Sequence, residues 1–91
     1  MDSTLRVLIF IVTYNAEKHI ESLLQRIPEE YWSSQHFSTE ILIIDDASSD
    51  NTVGLCKKYA AQTGRRMTIL KNPMNQGYGG NQKIGYTYAL Q

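Results

Sequence analysis

Short unbroken apolar runs alternate along this chain with stripes of helical spacing. Leu5 to Val12 is apolar apart from Arg6; it is too short for a typical helix and rich in β-branched residues, so it reads as a first, buried parallel strand. Thr13-Tyr14-Asn15 ends the run, and Asn15 is placed to cap a helix whose first turn holds Glu17, as the macrodipole favours. Ile20, Leu23, Leu24 and Ile27 then fall at i, i+3, i+4 and i+7, the clearest helical stripe in the chain. Pro28 stops it. From Glu29 to Thr39 the sequence is a polar connection carrying Tyr31, Trp32 and Phe37, aromatics expected to pin the crossover onto the sheet edge.

A second strand, Glu40 to Ile44, runs straight into Asp45 and Asp46. Ser48, Ser49, Asp50 and Asn51 offer helix caps, and a helix through Val53, Cys56, Tyr59 and Ala60 ends at Gly64, a fitting residue to follow a helix. Met67 to Leu70 is a short third strand, closed by Lys71-Asn72-Pro73 because proline cannot donate to a ladder. Asn75 to Asn81 reads as a glycine-rich loop, with a further helix from Gln82 to Leu90. The alternation predicts an α/β fold: a Rossmann-like parallel sheet in the order 3-2-1, with right-handed crossovers and flanking helices. Strand 1 is left with a bare edge, so the chain is expected to be part of a longer domain. The remainder of a parent chain or a self-association partner would cover that edge.

Length and composition narrow the class. Ninety-one residues make one domain or part of one, and 42% hydrophobic with 20% charged residues is globular and not disordered. The net charge of zero conceals a split: residues 1–50 carry nine acids and three bases, and residues 51–91 carry six bases and no acid. Because the bases are dispersed and do not run together, this predicts acids and bases facing one another across the fold and no nucleic-acid partner. Cys56 is the sole cysteine, which excludes an intrachain disulfide or a multi-cysteine zinc site and predicts a buried thiol. Met1-Asp2 supplies no cationic leader ahead of the first strand, and nothing in this stretch approaches the ~18 apolar residues of a membrane span. His19 and His36 are isolated and are assigned to no metal.

Three stretches carry chemistry. Asp45 and Asp46 end a buried strand, where open α/β sheets bind ligands; as neighbours on an extended strand they point to opposite faces, so one is expected to meet a ligand while the other braces loops. Asp50 reads as a helix cap. Thr13-Tyr14-Asn15 borders the same crevice if strands 1 and 2 are adjacent. Gly77, Gly79 and Gly80 permit close backbone approach to a ligand, although the loop is neither GxGxxG nor a P-loop.

Val12-Thr13-Tyr14-Asn15-Ala16-Glu17, Ile43 through Thr52, and Asn75-Gln76-Gly77-Tyr78-Gly79, in that order, resemble the amino-terminal half of family 2 glycosyltransferases, inverting GT-A-fold enzymes that include dolichyl-phosphate mannose synthase-like proteins. The resemblance implies a nucleotide-diphosphate-sugar site made by Thr13, Tyr14, Asn15, Asp45, Asp46, Asn75 and Gly77, with Asp46 foremost at the base and ribose and the 75–79 loop near the phosphates. It implies transfer to a lipid-phosphate (such as polyprenyl phosphate) or saccharide acceptor, in cell-envelope polysaccharide synthesis, in the cytoplasm or at the cytoplasmic face of a membrane. A divalent cation, Mg2+ or Mn2+, would steady the leaving diphosphate in the full-length enzyme. The family's metal-binding motif follows a fourth strand and its general base lies further on. Residues 1–91 are therefore expected to form a partial domain that binds no metal alone. Ala47 stands where the family usually has glycine, a mild change, and Tyr78 where many lipid-phosphate members have Lys or Arg.

Two other classes compete. A phosphoacceptor receiver domain shares the acidic strand end, but its acids follow strand 1 and it needs an aspartate after strand 3, which this sequence lacks. A non-catalytic nucleotide-binding or scaffold module would make the same contacts without turnover.

Overall fold

The computed structural model describes residues 4–90, with Tyr78 described through its backbone only. The residues read as lacking a cationic leader and the Tyr78 side chain lie outside the described residues. Strands β1 (Leu5–Thr13), β2 (Phe37–Asp45) and β3 (Met67–Lys71) form one parallel sheet in the order β1-β2-β3, as the alternation predicts. Helices α1 (Ile20–Gln25) and α2 (Glu30–Ser33) lie in the first crossover, α3 (Thr52–Thr63) forms the second, and α4 (Gly77–Ala89) follows β3.

β2 is central because its sequence tolerates burial on both faces. Ile41 to Ile44 are all fully buried, each contributing about 1.5–3 kcal/mol of apolar burial. Alternation divides them. Ile41 and Ile43 pack with Ile20, Leu24, Cys56 and Tyr59 beneath α1 and α3, while Leu42 and Ile44 face the side that carries α4. Cys56 is buried and free, and burial, with Asp45 nearby, pushes its thiol up to about 11. It is structural, as expected.

Several boundaries and environments differ from the sequence reading, each for a tertiary reason. β1 is not a buried strand on both faces: Phe10 and Val12 are 37% and 38% exposed, because β1 pairs with β2 alone among the described residues and α4 covers its outer face only in part. α1 is only six residues long, and Leu23 of the predicted stripe is exposed. Asn15 does not cap it; it takes a left-handed φ of 48°, and a turn closed by His19 and Ile20 N–H on the Ala16 carbonyl comes first. β2 begins at Phe37 and not at Glu40, since Leu5 pairs with Phe37 and extends the ladder.

The crossover aromatics pack onto the central strand β2 and the core and not onto a sheet edge. The Tyr31 and Phe37 rings meet at 5.3 Å, Trp32 packs on the core, and the Arg65 guanidinium lies 4.9 Å over the Trp32 ring. Gly64 ends α3 at φ 69°, its N–H on the Ala60 carbonyl. Arg65 also pairs with Glu29 at 2.6 Å, joining the basic and acidic halves of the chain. The strand-end acids do not follow that pattern, for their partners are neutral.

Candidate functional site

The register brings Thr13 level with Asp45 at the carboxyl ends of β1 and β2. Thr13 Oγ1 donates to Asp45 Oδ1 at 2.8 Å; Ser48 adds its N–H to Oδ2 at 2.9 Å and its hydroxyl to Oδ1 at 2.6 Å. Asp45 is thus fully buried and met on both oxygens, which is how a buried carboxylate is made tolerable. The stitching continues outward: Asn15 N–H donates to Ser48 Oγ, Asn15 Oδ1 accepts the Ser49 N–H, and Ala16 N–H donates to Thr52 Oγ1. Asp50 accepts the Thr52 N–H at 3.0 Å on one oxygen and the Glu17 N–H at 3.1 Å on the other. It stands one residue before the N-cap, Asn51, and not at the cap itself, yet it takes the first N–H of α3 and ties that start to the turn after β1. The Thr52 hydroxyl, foremost, and these N–H groups hold the Asp50 carboxyl below its usual range against the opposing effect of burial.

Asp46 points the other way. Its Oδ1 accepts Asn72 Nδ2 at 2.9 Å and the Gln76 N–H at 2.7 Å, and its Oδ2 accepts the Gly77 N–H at 3.2 Å. An anion thereby sits on the orphan N–H groups at the start of α4, where the macrodipole favours it. Burial pushes the Asp46 carboxyl up, but the hydrogen bonds from the Gln76 N–H, Asn72 and the Gly77 N–H outweigh it and leave the group below its ordinary value.

This explains why the predicted loop over 75–81 is helical from Gly77, five residues before the expected start. Glycines make a poor helix on their own, and a carboxylate from a neighbouring strand supplies the cap. Gly77 is needed there for its φ of 70°. Gly85, lower on α4, is needed for room, since a Cβ there would stand 2.1 Å from the Phe10 ring.

Among the sequence-predicted residues, the structure therefore brings Thr13, Asp45 and Asn15 into one network and Asp46, Asn75 and Gly77 into a second, with Asn75 Oδ1 also accepting the Gly77 N–H. Thr13, Asp45 and Asp46 are buried, whereas Tyr14, Asn15, Asn75 and Gly77 are exposed around them. Tyr14 stands 58% exposed at the mouth of the edge. At the carboxyl ends of β2 and β3 a shallow open depression of about 290 Å³ is lined by Ala47, Ser48, Lys71, Asn72 and Pro73.

Asn72 and Asn81 are buried polar residues that the sequence reading passed over; the rule that singled out the acids, a polar residue ending a buried strand, applies equally to Asn72. Ala47 has a φ of 65°, so replacing glycine there is more than a mild change, as a left-handed residue bearing a Cβ carries strain of about 1–2 kcal/mol. A separate cavity of about 370 Å³ between Arg6, Glu40, Arg66 and Tyr88 lies at the opposite end of the strands, away from this chemistry.

The donor set does not fit a resident cation. Asp45, Asp46 and Asp50 accept from protein N–H and O–H groups on both oxygens, and no group of three or more His, Cys, Asp or Glu among the described residues is placed to hold a metal ion.

A parallel α/β sheet whose polar carboxyl edge gathers a strand-end acid pair, an exposed aromatic and a glycine-rich helix start defines a Rossmann-like fold. The sequence model described as Glycosyl transferase family 2 matches residues 8–91, and the chain belongs to that family. It is 33% identical over 82 residues to a dolichyl-phosphate beta-glucosyltransferase of Dictyostelium discoideum, covering 85% of this chain and 25% of the relative. It is 29% identical over 63 residues to the poly(ribitol-phosphate) beta-N-acetylglucosaminyltransferase TarS of Staphylococcus aureus, covering 69% of this chain and 11% of that protein.

Solved structures share the fold. The mannosyltransferase PcManGT of Pyrobaculum calidifontis, in complex with GDP-Man and Mn2+, superposes with a TM-score of 0.78 at 23% identity, over 96% of this chain and 26% of that one. Residues 1–349 of S. aureus TarS with UDP-GlcNAc give 0.70 at 22% identity, over 92% and 23%. The chain thus spans about a quarter or less of the length of these proteins, and the likeness is that of a GT-A fold.

Proposed function

We propose that the carboxyl edge of this sheet holds the nucleoside diphosphate of a sugar donor and that the chain is the donor-binding part of an inverting glycosyltransferase. One observation carries the reading: the two adjacent acids are used differently. Asp45 is consumed in welding β1 to β2, whereas Asp46 Oδ2 keeps a single long partner at 3.2 Å, beside the exposed start of α4. A carboxylate oxygen has room for a second donor, such as a base N–H or a ribose hydroxyl. Tyr14 offers an aromatic face to the base, Asn15 and Asn75 offer polar groups at the rim, Gly77 lets the donor approach the backbone, and Thr13 with Asp45 forms the floor.

Transfer in this reading is attack by an acceptor oxygen on the anomeric carbon, with the nucleoside diphosphate leaving and the configuration inverted. The dolichyl-phosphate relative favours a polyprenyl phosphate acceptor over a saccharide. A cytoplasmic reaction, at the membrane face if the acceptor is lipid-linked, belongs to the same proposal, although no helix among the described residues is long and apolar enough to cross a membrane. A Mg2+ or Mn2+ requirement of the full-length enzyme is supported by the neighbour solved with Mn2+; its ligands and the general base are sought outside residues 4–90. So is the segment that covers the open β1 edge.

The test is an NMR titration with UDP and GDP. We expect shifts at Thr13, Asp46 and Gly77, and an affinity for the preferred nucleotide reduced about tenfold or more in Asp46→Asn, the loss of one charged hydrogen bond. Unchanged spectra at millimolar UDP and GDP would overturn the reading.

A further inference from the structure

Behind Asp46 the side chains close a ring. Asn72 Nδ2 donates one hydrogen to Asp46 Oδ1 at 2.9 Å and the other to Asn81 Oδ1 at 2.7 Å; Asn81 Nδ2 donates to the Gly77 carbonyl at 2.8 Å; and the Gly77 N–H returns to Asp46 Oδ2 at 3.2 Å. Asn72 is itself fixed to the sheet, its backbone N–H bonding the Asp45 carbonyl at 2.8 Å. Asn81 is 0% exposed. It accepts from Asn72 and donates to the Gly77 carbonyl within one turn of helix, through the separate oxygen and nitrogen of one amide. A hydrophobic residue there would leave one Asn72 amide hydrogen without a partner, a cost the interior does not forgive, and would take from the Gly77 carbonyl the side-chain donor it holds beside its helical one.

The ring also orients what lies in front of it. Asp46 Oδ1 is taken by Asn72 and Gln76, which leaves Oδ2 the less encumbered oxygen, and the Gly77 peptide is gripped through both its N–H and its C=O. We propose that Asn72 and Asn81 are positioning residues for donor binding, acting on the nucleotide through Asp46 and the Gly77 peptide without touching it. The proposal deepens the nucleotide-binding reading of the same edge and rests on it for its consequence, but its structural half stands separately. Placement by a closed hydrogen-bonded ring is cooperative, so removing one member loosens the others.

Two measurements on this chain test it, one of them free of ligand. In Asn81→Ala, hydrogen exchange of the Gln76 and Gly77 amides, both donors to Asp46, is expected to speed up about tenfold relative to core amides of β2 such as Ile43. Unchanged protection would overturn the ring as a positioning device, whether or not any nucleotide binds. With UDP or GDP, whichever binds, Asn81→Ala is expected to weaken affinity about tenfold in the wild-type background and less than about twofold when Asp46 is already Asn, because residues acting through a shared group are not additive.

Equal losses in both backgrounds would mean that Asn81 merely supports the fold, and would overturn the proposal. Should wild type bind neither nucleotide while the exchange effect persists, the ring is upheld and the nucleotide-site reading fails. Asn72→Ser, which retains a single small donor, serves as the second variant if Asn81→Ala does not fold, and the same two outcomes decide it.

Discussion

The two faces of the sheet are held by different physics. On one face α1 and α3 lie over Ile41, Ile43, Ile20, Leu24 and Cys56, a largely apolar contact crossed by the Tyr59 hydroxyl on the Leu24 carbonyl. On the other, α4 carries four glycines and is attached largely by its ends. Asp46 holds its first turn, while Glu40, inside β2, accepts from Tyr88 in its last turn and from Thr68 of β3. Between these, the Phe10 ring fits against Gly85. The apolar face supplies stability, and the polar attachment supplies a defined helix start at the carboxyl edge of the sheet. An element docked by acids can be adjusted, or lost, without dismantling the core.

The sharpest way to break this contrast is to empty the apolar face. Ile43→Ala is expected to cost about 3–4 kcal/mol, the usual loss for a fully buried aliphatic side chain, and to unfold both faces together in a denaturant titration. A loss below about 1 kcal/mol would show that the core is not where stability resides.

Acid should separate the faces in the opposite sense. Asp46 and Asp50 both lie below the ordinary 3.8 in the folded protein, so their stabilisation is complete above that pH and is lost as the pH falls through their lowered folded values. Amides at the start of α4 are expected to lose protection in that window before those of β2, and the Asp46→Asn variant should lack this acid limb at α4. Simultaneous loss along the chain would erase the distinction.

The smallest effect concerns Ala47, between the two acid networks. Ala47→Gly should raise stability by about 1 kcal/mol by relieving its left-handed strain, while leaving nucleotide affinity unchanged. A drop in thermal midpoint would contradict the strain.

Much of this was legible in the chain. Unbroken Ile41 to Ile44 could only be a strand buried on both faces, and the spacing of strands and helices implied a parallel sheet with β2 in its centre. Parity along an extended strand already separated Asp45 from Asp46. What the sequence read as loop, residues 77–81, is helix because its cap comes from a residue 30 positions away; local propensity, dominated by glycine, has no access to such a partner. Asn15 was misread for the same reason. Its side chain looked like a cap for the next helix and is instead used on Ser49, across the gap between two strand ends.

Composition and period alone therefore determined the number of strands, their order and the placement of an acid pair at the carboxyl edge of the sheet, since burial of apolar residues depends on pattern and not on detailed geometry. Only the tertiary structure decided which acid welds two strands and which one caps a helix, and only it joined Asn72, Asn81 and Gly77 in one ring. Hydrogen bonds are short-ranged and directional, and their partners here lie on segments that sequence spacing cannot bring together.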